Sequence, residues 1–297
     1  MTSDRLPLRH LALALAVVAV WGSNFVVMKW ALGTLPPLLL GTLRFALAFA
    51  PAALFVRRPA TRWPTLAAYG LLIGAGQFGL LLVALRADIT PGLASLVIQT
   101  QVFFTIGLAM ALAGERVRRF QWVALALAAA SLLAIATHTD ATTTPLGLVL
   151  VLLAAMAWAA GNLLAKRAGR VDMLGFMVWS SLFALPPLVA LSLAIEGPAA
   201  IAQGLARAGW GTWAAVLWQA AGNTLFGYGA WAWLLARYPA ATVSPMALLV
   251  PVFGIAASAA LLGEPLQPWK LGAAALVLAG LALNLLGPRL WRIAQRA

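Results

Sequence analysis

Long apolar runs alternate with short polar connections along the whole sequence. Each run is close to the roughly 20 residues that a helix needs to cross the hydrocarbon core of a bilayer. The longest connection, residues 196–209, is too short to form a separate domain. The pattern therefore predicts an all-α polytopic membrane protein with ten transmembrane helices in one bundle. The runs can be drawn at residues 10–31, 36–56, 65–86, 91–113, 119–137, 145–166, 173–195, 211–236, 241–262 and 269–287.

Composition points to the same class of protein. Hydrophobic residues make up 63% of the chain and charged residues only 9%, whereas soluble domains are typically about 45 to 50% apolar. The bilayer is therefore the expected solvent. The chain contains no cysteine, and its two histidines, His10 and His138, lie near the ends of predicted spans. We expect no disulfide, no metal site and no cofactor.

Basic residues are distributed unequally between the two sides of the predicted bundle. Of the 20 Lys and Arg residues, fifteen flank the spans on one side, four flank them on the other, and Arg44 alone lies inside a span. Because cytoplasmic loops retain positive charge, both termini are expected in the cytoplasm. The net charge of +13 follows from this topology and requires no nucleic-acid partner. The expected partners are the lipid bilayer and a small-molecule substrate.

The first run resembles a signal peptide but continues through Trp21 and Asn24, so we expect it to remain uncleaved.

Residues 87–115 and 236–264 align without a gap, which indicates an internal duplication. Each stretch closes a block of five spans, and because five is odd, the second block must enter the membrane from the opposite side. The sequence therefore predicts two inverted repeats, residues 1–140 and 141–297, an arrangement typical of transporters with alternating access. The matched pairs include Ala87/Ala236, Ser95/Ser244, Phe104/Phe253, Ile106/Ile255 and the closing pairs Gly114-Glu115 and Gly263-Glu264.

Several short motifs carry a resemblance to a known family, namely Trp21-Gly22-Ser23-Asn24-Phe25, Leu43-Arg44-Phe45-Ala46, Ala94-Ser95-Leu96, and the Gly-Glu pairs that close the fourth and ninth spans. Through these motifs the chain resembles the ten-helix drug/metabolite transporter superfamily of EamA type. As a whole it is similar to YddG-type aromatic amino-acid exporters of the bacterial inner membrane. The resemblance implies two inverted five-helix halves around a central cavity, with helices 1, 3, 4, 6, 8 and 9 lining it and helices 5 and 10 at the periphery. The second repeat departs from the first because it has no Arg at the position matching Arg44.

Polar and aromatic residues at mid-depth are the candidates for a substrate site. Trp21 and Asn24 share one face of the first helix, and Trp158 and Asn162 share one face of the sixth. Asn24 and Asn162 align between the repeats, and each lies about halfway along its helix, where such transporters place their substrate. The alternative stays open that these side chains only join neighbouring helices and fill volume.

Amide side chains and aromatic rings on other spans extend this candidate site. Amides supply both donors and acceptors, which suits a ligand with a carboxylate and an ammonium group. Aromatic rings could stack on an apolar side chain or hold an ammonium group by cation-π attraction. Interhelical hydrogen bonds, or rings that face lipid, are the alternatives. The further candidates are Gln77, Phe78, Ser95, Gln99, Gln101, Asn223, Tyr228, Trp231 and Ser244.

Five residues are candidates for gating or for structural support. Burying Arg44 inside a span costs at least about 2.5 kcal/mol. A carboxylate anchor or a gate would explain it, but snorkelling or bonding to helix-end carbonyls is the favoured interpretation. Pro245 and Pro251 free backbone groups of the ninth span and could form a hinge. Glu115 and Glu264 end the fourth and ninth spans, where they could act as latches or as helix caps.

The seven acidic residues all fall in loops or at helix ends. None therefore lies at mid-depth, where a proton-coupling carboxylate would work. The same distribution disfavours a pump for permanent cations, which would require a buried counter-charge. We expect facilitated movement of neutral or zwitterionic solutes down their gradient.

Three classes of function compete for this sequence. A transporter accounts for the repeats and the polar mid-depth positions. An enzyme would need a cluster of catalytic acids, His or Cys near an interface, and a receptor-like protein gives no reason for the repeat-related asparagines. Among transporters, a monomeric exporter of aromatic and other neutral or zwitterionic amino acids comes first and a broad drug or metabolite exporter second. A phosphorylated substrate is disfavoured because only Arg44 is available at depth to meet its charge.

Overall fold

A computed structural model describes residues 6–113, 119–138, 142–168, 171–238 and 240–294. These residues form ten helical segments, labelled α1 to α10 in chain order. Several segments change their helical winding along their length, and each of these carries a single label. The segments are α1 (Leu8–Leu32), α2 (Pro37–Leu54), α3 (Trp63–Ala87), α4 (91–113), α5 (Arg119–Ala136), α6 (Pro145–Arg167), α7 (Met173–Arg207), α8 (210–237), α9 (240–262) and α10 (Pro268–Ala294).

Eight of these segments are long and apolar enough to cross a membrane, counted over the described residues. The protein is therefore a multi-pass membrane protein. The two that fall short are α5, whose apolar stretch Phe120–Ala136 is shorter, and α8, whose middle carries Gln219, Asn223 and Thr224. Buried polar side chains lower the hydropathy of α8, which is expected where a helix faces the interior of a bundle instead of lipid.

Helix packing follows a regular scheme. The main contacts join α1 to α9, α4 to α6, α3 to α6, α1 to α8, α2 to α7, α3 to α7, and α5 to α10. Each helix of the first block has a counterpart five positions later in the chain, so that α1 corresponds to α6 and α5 to α10. When every helix is replaced by its counterpart, the α1–α9 pair becomes the α6–α4 pair, and the α3–α6 pair becomes the α8–α1 pair. The α2–α7 and α5–α10 pairs are unchanged by this replacement. These packing partners of the two five-helix blocks therefore correspond to each other, whereas the α3–α7 contact is more extensive than its counterpart between α8 and α2.

Irregular winding occurs at corresponding places in the two blocks. The segments Leu72–Gly79 in α3 and Trp218–Phe226 in α8 have wide turns with i to i+5 hydrogen bonds, whereas Ile98–Thr100 in α4 and Ser244–Leu248 in α9 have tight turns with i to i+3 bonds. Wide turns inside helices are often found at functional sites, because they shift the side chains that follow.

The predicted connection 196–209 is mostly helical in the structure. Gly197 has a φ of +80°, a value that glycine adopts at little cost and other residues avoid. This glycine ends the membrane-spanning part of α7 and turns the chain into the short helix Gly197–Arg207. The sequence signal was the Gly197-Pro198 pair, because proline is favoured at the start of a helix.

Hydrogen bonds between connections show which helix ends lie together. We call one end of the bundle the Glu264 end and the opposite end the His10 end. At the His10 end, His10 bonds with Tyr238, and the indole of Trp179 donates to the Val56 carbonyl over 3.0 Å. At the Glu264 end, the bonded pairs are Thr90 with Glu264, Lys29 with Leu85, Thr144 with Asp88, and Leu38 with Glu196.

Candidate functional site

A cavity of about 560 Å³ lies between the helices. This volume is in the range of pockets that hold small molecules. Its lining comes mainly from α1, α3, α4, α6, α8 and α9, the six helices expected from the family resemblance. Helix α10, which was expected at the periphery, also contributes Leu281 and Leu285, and α7 contributes Met173. The charged side chains of the described residues are absent from this lining.

Twelve of the thirteen residues proposed from the sequence as substrate contacts line this one cavity. The structure therefore brings them together. The twelve are Trp21, Asn24, Gln77, Phe78, Gln99, Gln101, Trp158, Asn162, Asn223, Tyr228, Trp231 and Ser244.

Ser95, the thirteenth candidate, is not part of the cavity lining. Its side chain is fully buried, and its hydroxyl donates to the Gly92 carbonyl over 2.7 Å. Ser95 instead packs against Gly254, where α4 and α9 approach each other closely. Its aligned partner Ser244 does line the cavity, so the two serines occupy different surroundings.

An amide pair connects α6 and α4 across the cavity. The side-chain nitrogen of Asn162 donates to the side-chain oxygen of Gln101 over 2.8 Å. This bond leaves the Asn162 oxygen as an acceptor and the Gln101 nitrogen as a donor. The interhelical bond that was the alternative interpretation of these residues is therefore present, and both side chains keep a polar group for a ligand.

Two further amides have buried oxygens without a donor. Among the described residues, the Oδ1 atom of Asn24 and the Oε1 atom of Gln77 have no hydrogen-bond partner. Both residues line the cavity and are nearly fully buried. A buried acceptor without a donor is destabilising by about 1 to 3 kcal/mol. Both oxygens are enclosed by protein atoms, so each can accept from water or from a solute only after its amide turns toward the cavity.

Arg44 is fully buried on α2, next to the cavity but outside its lining. Its guanidinium donates to Gln219 Oε1 over 3.1 Å, to Asn223 Oδ1 over 2.8 Å and to Thr224 Oγ1 over 3.2 Å. It also lies 3.6 Å above the centre of the Phe78 ring. The expectation of snorkelling or of bonding to helix-end carbonyls is wrong, because Arg44 bonds to side chains in the middle of α8.

Aromatic rings form one side of the cavity. The ring of Trp21 lies 5.6 Å from that of Tyr228 and 5.2 Å from that of Trp231, measured between centroids. The Trp21 indole nitrogen donates to the Asn223 carbonyl over 3.2 Å. Rings from α1 and α8 therefore hold each other at separations typical of favourable aromatic pairs, and they offer an apolar surface to a solute.

Sequence reasoning did not select Tyr69, which also lines the cavity. Its hydroxyl donates to the sulfur of Met177 over 3.3 Å. Tyr69, Ile73 and Gln77 are spaced four residues apart, which places them on one face of α3. That spacing was the available signal. The leucines of α10 carried no comparable signal, because apolar residues of a membrane helix look alike whether they face lipid or a cavity.

The carboxylate of Glu264 joins α9 to α4 and α10 at one end of the bundle. It accepts from the Gly92 backbone amide over 3.0 Å, from Lys270 over 3.0 Å, and from the hydroxyls of Thr90 and Ser258. We call this set the Glu264 latch. Burial alone would raise the pKa of Glu264, but the hydrogen bonds and the charge of Lys270 hold that pKa below its ordinary value. Glu115, proposed as its counterpart, lies outside the described residues.

The two prolines proposed as a hinge lie at the start of α9. Pro245 belongs to the tight-turn segment Ser244–Leu248, and Pro251 is buried early in the α-helical part, Leu249–Leu262. Proline has no backbone N–H and cannot donate a backbone hydrogen bond. The irregular winding at the start of α9 therefore lies where two backbone donors of the helix are missing. The structure thus locates both prolines beside the cavity residues Ser244 and Val250.

The cavity is closed toward the Glu264 end and extends toward the His10 end. The latch and the close packing of Gly22 and Gly254 bring α1, α4 and α9 together on the closed side. On the other side, the lining continues to Ala165 and Leu235, which lie near the ends of α6 and α8. Over the described residues, the lining therefore runs closer to the helix ends at the His10 end than at the Glu264 end, and we call this extension the access path.

Comparison with known proteins identifies the family. The model of the EamA-like transporter family matches the sequence twice, over residues 8–137 and residues 145–286. The chain belongs to the EamA-like transporter family. Each of the two predicted repeats contains one of the two matches.

Relatives of similar length carry transporter names. The chain is 42% identical over 289 residues to a protein of Salmonella typhimurium named "Probable amino-acid metabolite efflux pump", covering 95% of this chain and 97% of that protein. A protein of Escherichia coli with the same name is 40% identical over 290 residues, covering 96% and 97%. The family and these names indicate a transporter and not an enzyme.

A solved crystal structure has a similar fold. It aligns with a TM-score of 0.61 at 19% identity and covers 95% of this chain and 98% of that chain. At this level of identity the likeness concerns the fold alone. It shows that this arrangement of helices also occurs in an experimental structure.

Proposed function

We propose that this protein exports amino acids, aromatic and other neutral or zwitterionic ones, through the central cavity. The observation that carries the proposal is the chemistry of the lining, where amides from five helices and several aromatic rings meet without a charged side chain among the described residues. Amides can accept from an ammonium group and donate to a carboxylate, and the rings offer an apolar surface for a side chain. The relatives named as efflux pumps for amino-acid metabolites support the same substrate class.

Transport proceeds by alternating access between two inverted five-helix halves, residues 1–140 and 141–297. The two family matches and the corresponding helix contacts support this part of the proposal. The closed Glu264 end and the access path at the His10 end are the features expected of one of the two alternating states. Since one chain supplies the whole lining, a monomer is sufficient for transport.

The protein resides in the bacterial inner membrane with both termini in the cytoplasm. A bundle of apolar helices supports this location, since proteins of the bacterial outer membrane span it as β-barrels. The excess of Lys and Arg at the His10 end supports the orientation. The state with its access path at the His10 end is then open to the cytoplasm, where an exporter collects its substrate.

Movement is facilitative and does not require a proton. The described acids, Asp88, Asp172, Glu196 and Glu264, lie at helix ends or in connections, away from the cavity lining. The direction of net flux then depends on the substrate gradient alone. An imposed pH gradient that drives flux without a substrate gradient would contradict this part of the proposal.

Exchange in proteoliposomes tests the proposal. Purified protein is reconstituted with unlabelled amino acid inside, and uptake of labelled phenylalanine, threonine and lysine is measured. We expect phenylalanine and threonine to exchange faster than lysine. Asn24→Ala and Trp158→Ala should each lower the initial rate about tenfold or more, since each removes a contact worth on the order of 1.5 kcal/mol.

Trp210→Ala is the matched control for the tryptophan variant. Trp210 is 93% exposed at the start of α8 and does not line the cavity, so its loss should leave exchange unchanged. If folded wild-type protein exchanges none of the three amino acids, amino-acid export is ruled out. A broad drug or metabolite exporter would then be the better assignment, because the lining also contains many apolar residues, such as Met28, Leu81 and Leu248.

A further inference from the structure

A buried positive charge lies directly behind the neutral lining of the cavity. Arg44 has no exposed surface, and arginine stays protonated in proteins. Its side-chain hydrogen bonds go to Gln219, Asn223 and Thr224, all of them uncharged. These partners spread the charge without neutralising it. The cavity next to Arg44 is therefore biased toward positive potential.

Asn223 transmits this charge to the cavity. Its side-chain oxygen accepts from Arg44 over 2.8 Å, so the group that Asn223 can offer to the cavity it lines is its amide nitrogen, a donor. A charged donor on one side of an amide polarises it and strengthens the hydrogen bond on the other side. Asn223 is thus prepared to bind an anionic acceptor such as a carboxylate.

Acceptors for a cation come from other helices. Asn24 on α1 and Gln77 on α3 line the same cavity with side-chain oxygens that lack a donor among the described residues. An ammonium group has three donors and no acceptor. The cavity therefore has a polarised donor from α8 and, on α1 and α3, two unsatisfied acceptors that a rotation of each amide would turn toward it.

We propose that Arg44, acting through Asn223, makes the carboxylate an obligatory feature of the transported solute. The inference rests on the proposed function and refines it, because it assigns an orientation to the zwitterion. The carboxylate binds at Asn223 and the ammonium group at Asn24 and Gln77. An amine with the same ring but without a carboxylate meets the positive potential of Arg44 without compensation and is rejected. Arg44 is a positioning residue in this scheme.

Gln219→Glu is the most informative variant. Gln219 is fully buried, accepts from Arg44, and lies outside the cavity lining. Its side-chain nitrogen has no acceptor among the described residues, so replacing that nitrogen by oxygen removes no described hydrogen bond. The new carboxylate neutralises Arg44 and leaves every residue of the lining in place. Gln203→Glu, on the exposed face of the helix Gly197–Arg207, is the matched control.

The test compares three labelled solutes in the exchange assay. They are phenylalanine, phenethylamine, which lacks the carboxylate, and 3-phenylpropionate, which lacks the ammonium group. Wild type and Gln203→Glu should transport phenylalanine best and phenethylamine at least about tenfold more slowly, as expected for like charges within several ångströms at a moderate effective dielectric. Gln219→Glu should raise the ratio of phenethylamine to phenylalanine uptake about tenfold or more. Arg44→Gln should act in the same direction, and Arg44→Lys should restore the wild-type ratio in part.

The ratio of phenethylamine to phenylalanine uptake separates a change in selectivity from damage to the fold. A variant that is only partly folded lowers the uptake of all three solutes equally, so an unchanged ratio in folded Gln219→Glu would overturn the role of Arg44. Equal transport of phenethylamine and phenylalanine by wild type would also overturn it, while amino-acid export would stand. If no solute moves, the proposed function fails, and binding is read instead from the fluorescence of Trp21, Trp158 and Trp231. Quenching by phenylalanine but not by phenethylamine would then support the inference, and equal quenching would refute it.

Discussion

At Gly254, helices α9 and α4 come so close that a methyl group has no room. A Cβ atom added there would overlap the hydroxyl and Cβ of Ser95. We expect Gly254→Ala to lower the free energy of unfolding by roughly 1 to 3 kcal/mol, the usual cost of overpacking a well-packed contact. Thermal denaturation in detergent, followed by the loss of monodisperse protein, measures this change.

Gly272 on α10 provides the matched substitution. A Cβ atom added there meets nothing within 4 Å, and alanine is favoured over glycine inside a helix by about 0.8 to 1 kcal/mol. Gly272→Ala should therefore raise the melting temperature slightly. A similar melting temperature for Gly254→Ala would mean that α4 and α9 pack more loosely at this contact than their separation indicates.

Single residues of the site differ in how well the sequence predicts their surroundings. Asn24 and Asn162 line the cavity, as expected for a polar side chain at mid-depth in an apolar helix, which needs a partner in the interior. Ser95 lies outside the lining, since a hydroxyl can bond to its own helix backbone, as Ser95 does with Gly92. The partners of Arg44 could not be deduced, because they depend on how α8 is rotated about its axis.

At the scale of elements, the apolar runs predicted the helices well and their internal winding poorly. The run at 211–236 corresponds to α8, yet nothing in its hydropathy shows the wide turns at Trp218–Phe226. Those turns place Gln219 and Asn223 toward Arg44 on α2. A regular α-helix would rotate each residue by about 100° from the last, so the facing residues of α8 follow from the irregular winding and not from the sequence period.

Element α7 shows a second limit of the pattern. Hydropathy marks where the apolar run ends near Glu196, but the chain continues as a helix to Arg207 after the turn at Gly197. Glu196 itself accepts from the backbone amides of Leu38 and Leu39 over 2.6 and 3.0 Å. It caps the start of α2, where the free amides of a helix favour a negative charge. A long-range cap of this kind depends on the α2–α7 contact and is invisible in a local sequence window.

On the scale of the whole molecule, the Glu264 latch is expected to control the equilibrium between the two access states of the proposed transport cycle. It joins α4 and α9, one helix from each predicted repeat, at the closed end of the cavity. We expect Glu264→Gln to shift the equilibrium toward opening at this end by about 1.5 to 3 kcal/mol, the usual worth of hydrogen bonds to a charged group. A single cysteine in place of Ser95 reports this opening, since the chain has no native cysteine and Ser95 is fully buried. An impermeant maleimide should then label Ser95→Cys at least about tenfold faster in the Glu264→Gln background.

Glu196→Gln is the control for this measurement, because Glu196 caps α2 at the same end without contacting α4 or α9 in the described hydrogen bonds. Labelling of Ser95→Cys should be the same in this background as in otherwise wild-type protein. Equal acceleration by both variants would show that any lost carboxylate at this end loosens the bundle, and the specific role of Glu264 would be refuted.

The pH dependence of the same labelling follows from the sign of the pKa shift. The pKa of Glu264 is held below its ordinary value in the closed state, so the latch stabilises that state fully above the ordinary glutamate value of about 4.3. The stabilisation is lost as the pH falls through the lower, closed-state value. Maleimide reacts with the thiolate, whose fraction falls with pH, so the rate is divided by that of Trp210→Cys at the same pH, since Trp210 is 93% exposed. This relative labelling should be constant between about pH 6 and 8 and should increase below about pH 4. In Glu264→Gln this acid-induced acceleration should disappear.

A latch that is insensitive to pH near neutrality is what the proposed facilitative exporter requires, since its access states then respond to the substrate and not to protons. A marked change in labelling between about pH 6 and 8 that Glu264→Gln abolishes would instead assign a proton to the transport cycle.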